Sequence, residues 1–169
     1  PAACTRKALG MLGASNLRAG EVVHSVDPDT RFWILGAGKA SETMAATLVD
    51  MFGERVAGGV VIVKHPRAET LGPVRVLAGD HPLPGPRSIA STQALLEVAS
   101  KVGEKDIVLA PISGGASALL CEPTIALDEL RERTANMLAS GAAIEELNEM
   151  RREVDRIKGG GLRRLLAPA

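Results

Sequence analysis

Apolar residues in this chain come in short, nearly unbroken runs, and amphipathic stretches separate them. Arg31-Phe32-Trp33-Ile34-Leu35, Gly58 to Val63, Val74 to Ala78 and Ile107 to Ala110 read as four strands. Runs without apolar–polar alternation belong to strands covered on both faces. Lys39 to Gly53 reads as a helix with Met44, Leu48, Val49 and Phe52 on one stripe. Ser88 can cap a helix reaching Lys101, with Ala90, Ala94, Leu95 and Val98 inward. A helical pattern begins at Ala116, and two more helices cover 127–140 and 143–157, parted by Gly141. Residues 2–19 suggest a modest helix that Gly10 and Gly13 weaken. Strands alternating with helices predict an α/β fold: a Rossmann-like three-layer α/β/α domain with a mainly parallel sheet of about four strands, followed by C-terminal helices.

Composition narrows the function classes. Lys+Arg and Asp+Glu both number 20 in 169 residues, so the net charge is zero. A basic nucleic-acid module would carry an excess of cations. The aromatics are Phe32, Trp33 and Phe52, too few for stacking single-stranded bases. Cys4 and Cys121 stand far apart, without the paired spacing of a zinc or redox motif, and read as two reduced thiols. No apolar run is long enough for a membrane span, and the first 25 residues lack a signal-peptide block, so a cytoplasmic protein is expected. The chain begins at Pro1 rather than Met, which points to a natural start further upstream. The 18 glycines cluster at strand ends.

Ligands of open parallel sheets bind beyond the carboxyl ends of the strands. Gly36-Ala37-Gly38-Lys39 lies at one such end. Glycines let the backbone approach an anion, and the next helix offers unpaired N–H groups beside the Lys39 charge. Two fingerprints come close and fail. A P-loop needs glycine where Trp33 stands and Ser or Thr where Ala40 stands. A dinucleotide turn needs Gly or Ala where Ser41 stands. Ser113-Gly114-Gly115-Ala116-Ser117 repeats the same physics with two hydroxyls, and Leu119 breaks the pattern of a nucleophile elbow at Ser117. In Asp80-His81-Pro82-Leu83-Pro84-Gly85 the prolines stiffen a loop that can aim His81. Arg151 and Lys158, seven apart, share a face with Asn148 if their helix is continuous. Each segment also has a structural reading: a plain turn, a hydrogen-bonded loop histidine, a solvated charged face.

Taken in order, these segments resemble the glycerate 2-kinase family with the MOFRL C-terminal domain, whose members are also labelled glycerate kinase or hydroxypyruvate reductase. The matches are Gly36-Ala37-Gly38-Lys39-Ala40 with Met44-Ala45, then His81-Pro82-Leu83-Pro84, then Ser113 to Leu120. Ser140-Gly141-Ala142-Ala143-Ile144, Asn148, Arg151 and Ile157-Lys158-Gly159-Gly160 complete the set. The family often has His and Ser where Glu153 and Asp155 stand, and a bulkier residue at Gly161. The resemblance implies that residues 1–169 are part of the N-terminal domain of a larger two-domain kinase whose C-terminal domain is absent here.

It also implies ATP-dependent phosphorylation of D-glycerate to 2-phosphoglycerate, with Mg²⁺ bridging phosphates. Lys39 would be catalytic, with Gly36 and Gly38 beside it at the phosphate. Ser113, Gly114, Gly115 and Ser117 would cradle carboxylate or phosphate. His81, Asn148, Arg151 and Lys158 would line the glycerate pocket. No metal ligand is assigned, Asp80 being the sole local candidate, and the isolated chain is expected to be inactive. Two other readings stay open. One is an NAD(P)-dependent hydroxypyruvate reductase, against which Lys64-His65 stands where an acidic ribose ligand would be. The other is a non-catalytic anion-binding or assembly domain, with Leu162, Leu165 and Leu166 as a partner surface. Glycerate and ATP are the expected partners, with neither nucleic acid nor membrane, and self-association remains open.

Overall fold

A computed structural model describes residues 1–166. Its elements are α1 (Ala2–Ala8), β1 (Leu9–Met11), β2 (Asn16–Ala19), β3 (Val22–Ser25), β4 (Phe32–Ala37), α2 (Ser41–Phe52), β5 (Val56–Val63), β6 (Thr70–Leu71) and β7 (Val74–Ala78). They continue with α3 (Pro86–Ala99), β8 (Ile107–Leu109), α4 (Ala116–Leu119), α5 (Leu127–Ala139), α6 (Ile144–Glu153) and α7 (Gly161–Leu166). The main sheet has five strands in the order β6-β7-β5-β4-β8. Neighbours run parallel except β6, which pairs antiparallel with β7. All four strands expected from the apolar runs are there, and the fold is the layered α/β domain that the alternation predicts.

Strand periodicity divides the core in two. Phe32 and Ile34 face α2, where Ala45, Leu48 and Phe52 meet them. Trp33, Leu35 and Ala37 face Leu95 and Val98 of α3 and Leu119 of α4. Phe32, Ile34 and Leu35 are fully buried, as are Val60, Val61 and Ile62 of β5. Asp106, before β8, accepts hydrogen bonds from Trp33 Nε1 (2.8 Å), Gly103 N (3.0 Å) and Arg31, and so ties the sheet's edge to its centre. Burial opposes its charge, but these hydrogen bonds outweigh burial and hold the carboxyl below its usual range.

Several expectations change. The N-terminal helix stops at Ala8, and β1, β2 and β3 form a separate antiparallel sheet. The Arg18 guanidinium donates to the carbonyls of Lys7 (2.7 Å) and Gly20 (3.1 Å), holding that sheet to the end of α1. Ser88 does not cap α3, which starts at Pro86 after Gly85. Its hydroxyl instead accepts from Asp80 N (2.8 Å) and fixes the His81 loop. Ala90 faces solvent, and Ser88, Ser91 and Thr92 take its place inward. The last predicted helix ends at Glu153, so Arg151 and Lys158 do not share a helical face. Leu162 and Leu166 pack onto the Trp33 side of the sheet, which leaves Leu165 alone exposed among the three leucines of α7.

Candidate functional site

The two glycine loops close the carboxyl ends of β4 and β8 and are bonded to each other. Ser113 N donates to Ala37 O (3.0 Å), Lys39 N to Gly114 O (2.9 Å) and Ala40 N to Ser113 Oγ (2.9 Å). Gly38 N donates to Ile62 O (3.0 Å). Gly38 has φ +133°, and a Cβ there would collide with Ser113, so glycine is required for this close approach. The N–H groups of Gly38, Lys39 and Ala40, which the pattern offers to an anion, thus serve the fold. What remains free in the first loop is the Lys39 side chain, exposed and without a hydrogen bond among the described residues. The second loop differs. The N–H groups of Gly114, Gly115 and Ser117 have no acceptor among the described residues.

A cavity of about 350 Å³ opens in front of that second loop. Its polar wall is His81, Ser117, Asn148 and Arg151; Leu138, Ile144 and Leu147 form the apolar one. His81 comes from the Asp80–Gly85 loop, Ser117 from α4, and Asn148 and Arg151 from one face of α6. Arg151 is only 9% exposed. None of the four polar side chains hydrogen-bonds to another described residue, and none of their nitrogen or oxygen atoms is buried without a partner. Burial lowers the Arg151 pKa from its ordinary value, a cost that an anionic ligand would offset. No acidic residue lines this cavity among the described residues.

Gly115 brings His81 and Lys39 together. With φ +90°, it leaves open the place where a Cβ would stand 3.1 Å from His81 Nε2 and 3.6 Å from Lys39 Cε. Burial, followed by the charges of Lys39, Lys64 and Arg151, lowers the His81 pKa below its ordinary value of 6.5. The neighbouring Asp80 does not counter this. It accepts from Arg87 N (3.0 Å) and Arg87 Nε (2.7 Å), and these bonds overcome burial to keep its carboxyl low.

Lys158 lies in an adjoining cavity of about 320 Å³ that shares Ser117 and Asn148. Its ammonium is already held, donating to Asp155 Oδ2 (2.5 Å) and Leu120 O (3.0 Å). Among the described residues no three His, Cys, Asp or Glu side chains gather as a metal site, and Asp80 is taken by Arg87. The residues here therefore do not fit a protein-held Mg²⁺. The apolar cavity under α1, about 260 Å³, offers Cys4 and Thr5 but no charged side chain. Lys64, whose charge acts on His81, is a cation that the motifs missed. Its position directly after the carboxyl end of β5 was the available signal.

Fold and site together define a doubly wound α/β domain with a cavity near the carboxyl end of its sheet, lined on its polar side by His81, Ser117, Asn148 and Arg151. The chain belongs to the family described as "Domain of unknown function (DUF4147)", which matches residues 1–169. It is 33% identical over 144 residues to the D-glycerate 2-kinase of Thermotoga maritima, covering 82% of this chain and 34% of that one. A protein from Agrobacterium vitis, provisionally named a hydroxypyruvate reductase, is 36% identical over 138 residues, or 80% of this chain and 36% of its own. The crystal structure of a Pyrococcus horikoshii protein superposes with a TM-score of 0.87 at 29% identity, over 98% of this chain and 37% of the other. That of glycerate kinase from Thermotoga maritima gives 0.76 at 32% identity, over 83% of this chain and 34% of the other. The chain thus spans about a third of the length of the curated relatives it matches. No helix among the described residues is long and apolar enough to cross a membrane.

Proposed function

We propose that this domain is the glycerate-binding part of an ATP-dependent glycerate 2-kinase, forming 2-phosphoglycerate from D-glycerate, and that it is the N-terminal portion of a longer two-domain enzyme. The observation that carries the reading is the 350 Å³ cavity, whose polar side chains, among the described residues, have no hydrogen-bond partner and include no acid. Arg151 suits a carboxylate, since its planar fork can donate two parallel hydrogen bonds. Ser117 and Asn148 supply neutral groups for the hydroxyls. Lys39 reaches the same place from the β4–α2 loop and stabilises the charge of the transferring phosphoryl group. Lys158 supports the wall from its bond to Asp155. Mg²⁺ would enter with the nucleotide, since no metal cluster stands among the described residues.

The reductase reading has less support. A dinucleotide pyrophosphate needs free N–H groups at the first glycine loop, and those of Gly38, Lys39 and Ala40 are bonded. Coupled assays of ADP release with glycerate and of NADH oxidation with hydroxypyruvate test the assignment. Glycerate-dependent ADP release, strongly reduced in Lys39→Ala, is expected. Its absence beside NADH oxidation would reverse the assignment.

A further inference from the structure

Transfer of a phosphoryl group to a hydroxyl releases a proton, and the cavity walls limit where it can go. Lys39 and Arg151 enter as cations with no lone pair to offer. Ser117 and Asn148 are neutral and not basic. No carboxylate lines the cavity among the described residues, and Asp80, next to His81 in the chain, is committed to Arg87, as Asp155 is to Lys158. Among the described residues that leaves His81. Its imidazole makes no hydrogen bond to another described residue, and its Nε2 edge faces the space that Gly115 leaves open, beside the Lys39 stem.

Resting on the kinase reading above, we infer that His81 is the catalytic base that takes the substrate's hydroxyl proton. The hydroxyl oxygen forms a bond to the γ-phosphorus of a nucleoside triphosphate as the bridging β–γ P–O bond breaks. The nucleoside diphosphate leaves, and the proton passes to the lone pair on Nε2 of the Nδ1–H tautomer. The surroundings suit the task. Burial and, after it, the charges of Lys39 from the β4–α2 loop, Lys64 after β5 and Arg151 from α6 lower the proton affinity of the free imidazole, which favours an open lone pair. A bound carboxylate offsets part of that charge and brings the imidazole's proton affinity back toward neutrality, where a base works best.

The test is steady-state kinetics against pH on the enzyme expressed from its complete reading frame. His81→Gln should lower kcat by about 10²–10⁴-fold with little change in the KM for glycerate. The acid limb of the wild-type kcat/KM profile, with its midpoint below the ordinary histidine value, should vanish in that variant. Added imidazole should restore part of the activity of His81→Ala. A raised KM with unchanged kcat, or an acid limb that persists in His81→Gln, overturns the inference and leaves the kinase reading intact. A wild-type enzyme that releases no ADP with glycerate overturns both.

Discussion

Gly115→Ala perturbs the point where the second glycine loop, His81 and Lys39 meet. Gly115 has φ +90° and its space is bounded by His81, with Cδ2 3.0 Å and Nε2 3.1 Å from an added Cβ. An L-residue in left-handed backbone costs about 1–2 kcal/mol. Reduced freedom of the unfolded chain returns about 0.4–1 kcal/mol. The net loss is then about 1 kcal/mol, and at this chain length the melting temperature should fall by about 2–4 °C. The methyl group also stands between Gly115 and His81, both of which line the cavity, and takes up space beside the ligand, which should weaken glycerate binding by about tenfold. Gly114→Ala is the matched control. Gly114 has no positive φ, and an added Cβ meets nothing within 4 Å. Thermal denaturation and calorimetric titration with glycerate compare the two variants. If Gly115→Ala melts and binds like Gly114→Ala, the proximity of His81 to Gly115 does not shape the site.

Three further outcomes follow from named contacts. Asp155→Ala removes the partner of a Lys158 side chain that is 13% exposed, and should lower stability by about 3–5 kcal/mol in urea denaturation, against less than about 0.5 kcal/mol for Arg133→Ala at the exposed pair with Glu129; equal losses would contradict the clamp. The Asp106 carboxyl is depressed in the folded state, so its contribution is complete above the ordinary carboxyl value of 3.8 and is lost as pH falls through the folded value. Between pH 7 and about pH 3 the wild type should therefore lose more stability than Asp106→Asn, and parallel curves would refute this. Cys4 is exposed, whereas burial pushes the Cys121 thiol up to about 11. A thiol reagent at neutral pH should label one cysteine quickly and the second only on unfolding, and two fast labels would contradict that burial.

The parallel strands were legible because each is an aliphatic run covered on both faces, a signal contained within a few residues. The small N-terminal sheet was not. Its strands are three or four residues long, Val22 and Val23 are more than half exposed, and Arg18 bonds to distant carbonyls leave no local period. At the site, His81, Gly115, Ser117, Asn148 and Arg151 converge as the motifs suggest. The bond of Ala40 N to Ser113 Oγ spans 73 positions, so nothing local revealed that the two glycine loops are joined or that Gly38 serves that join. Lys158 was misplaced by assuming one long helix. α6 ends at Glu153, and Asp155 then accepts from Ile157 N (3.1 Å) and from Lys158, a tight turn written in a residue that had stood out only as a departure from the family pattern.

The most direct measurement is the product formed by the enzyme expressed from its complete reading frame, given D-glycerate, ATP and Mg²⁺ and followed by phosphorus NMR. The proposed assignment predicts ADP and 2-phosphoglycerate, with turnover at low glycerate cut by about a hundredfold in Arg151→Ala. No phosphorylated glycerate from the wild type, or an Arg151→Ala enzyme as active as wild type, would contradict the assignment of this cavity as the glycerate site.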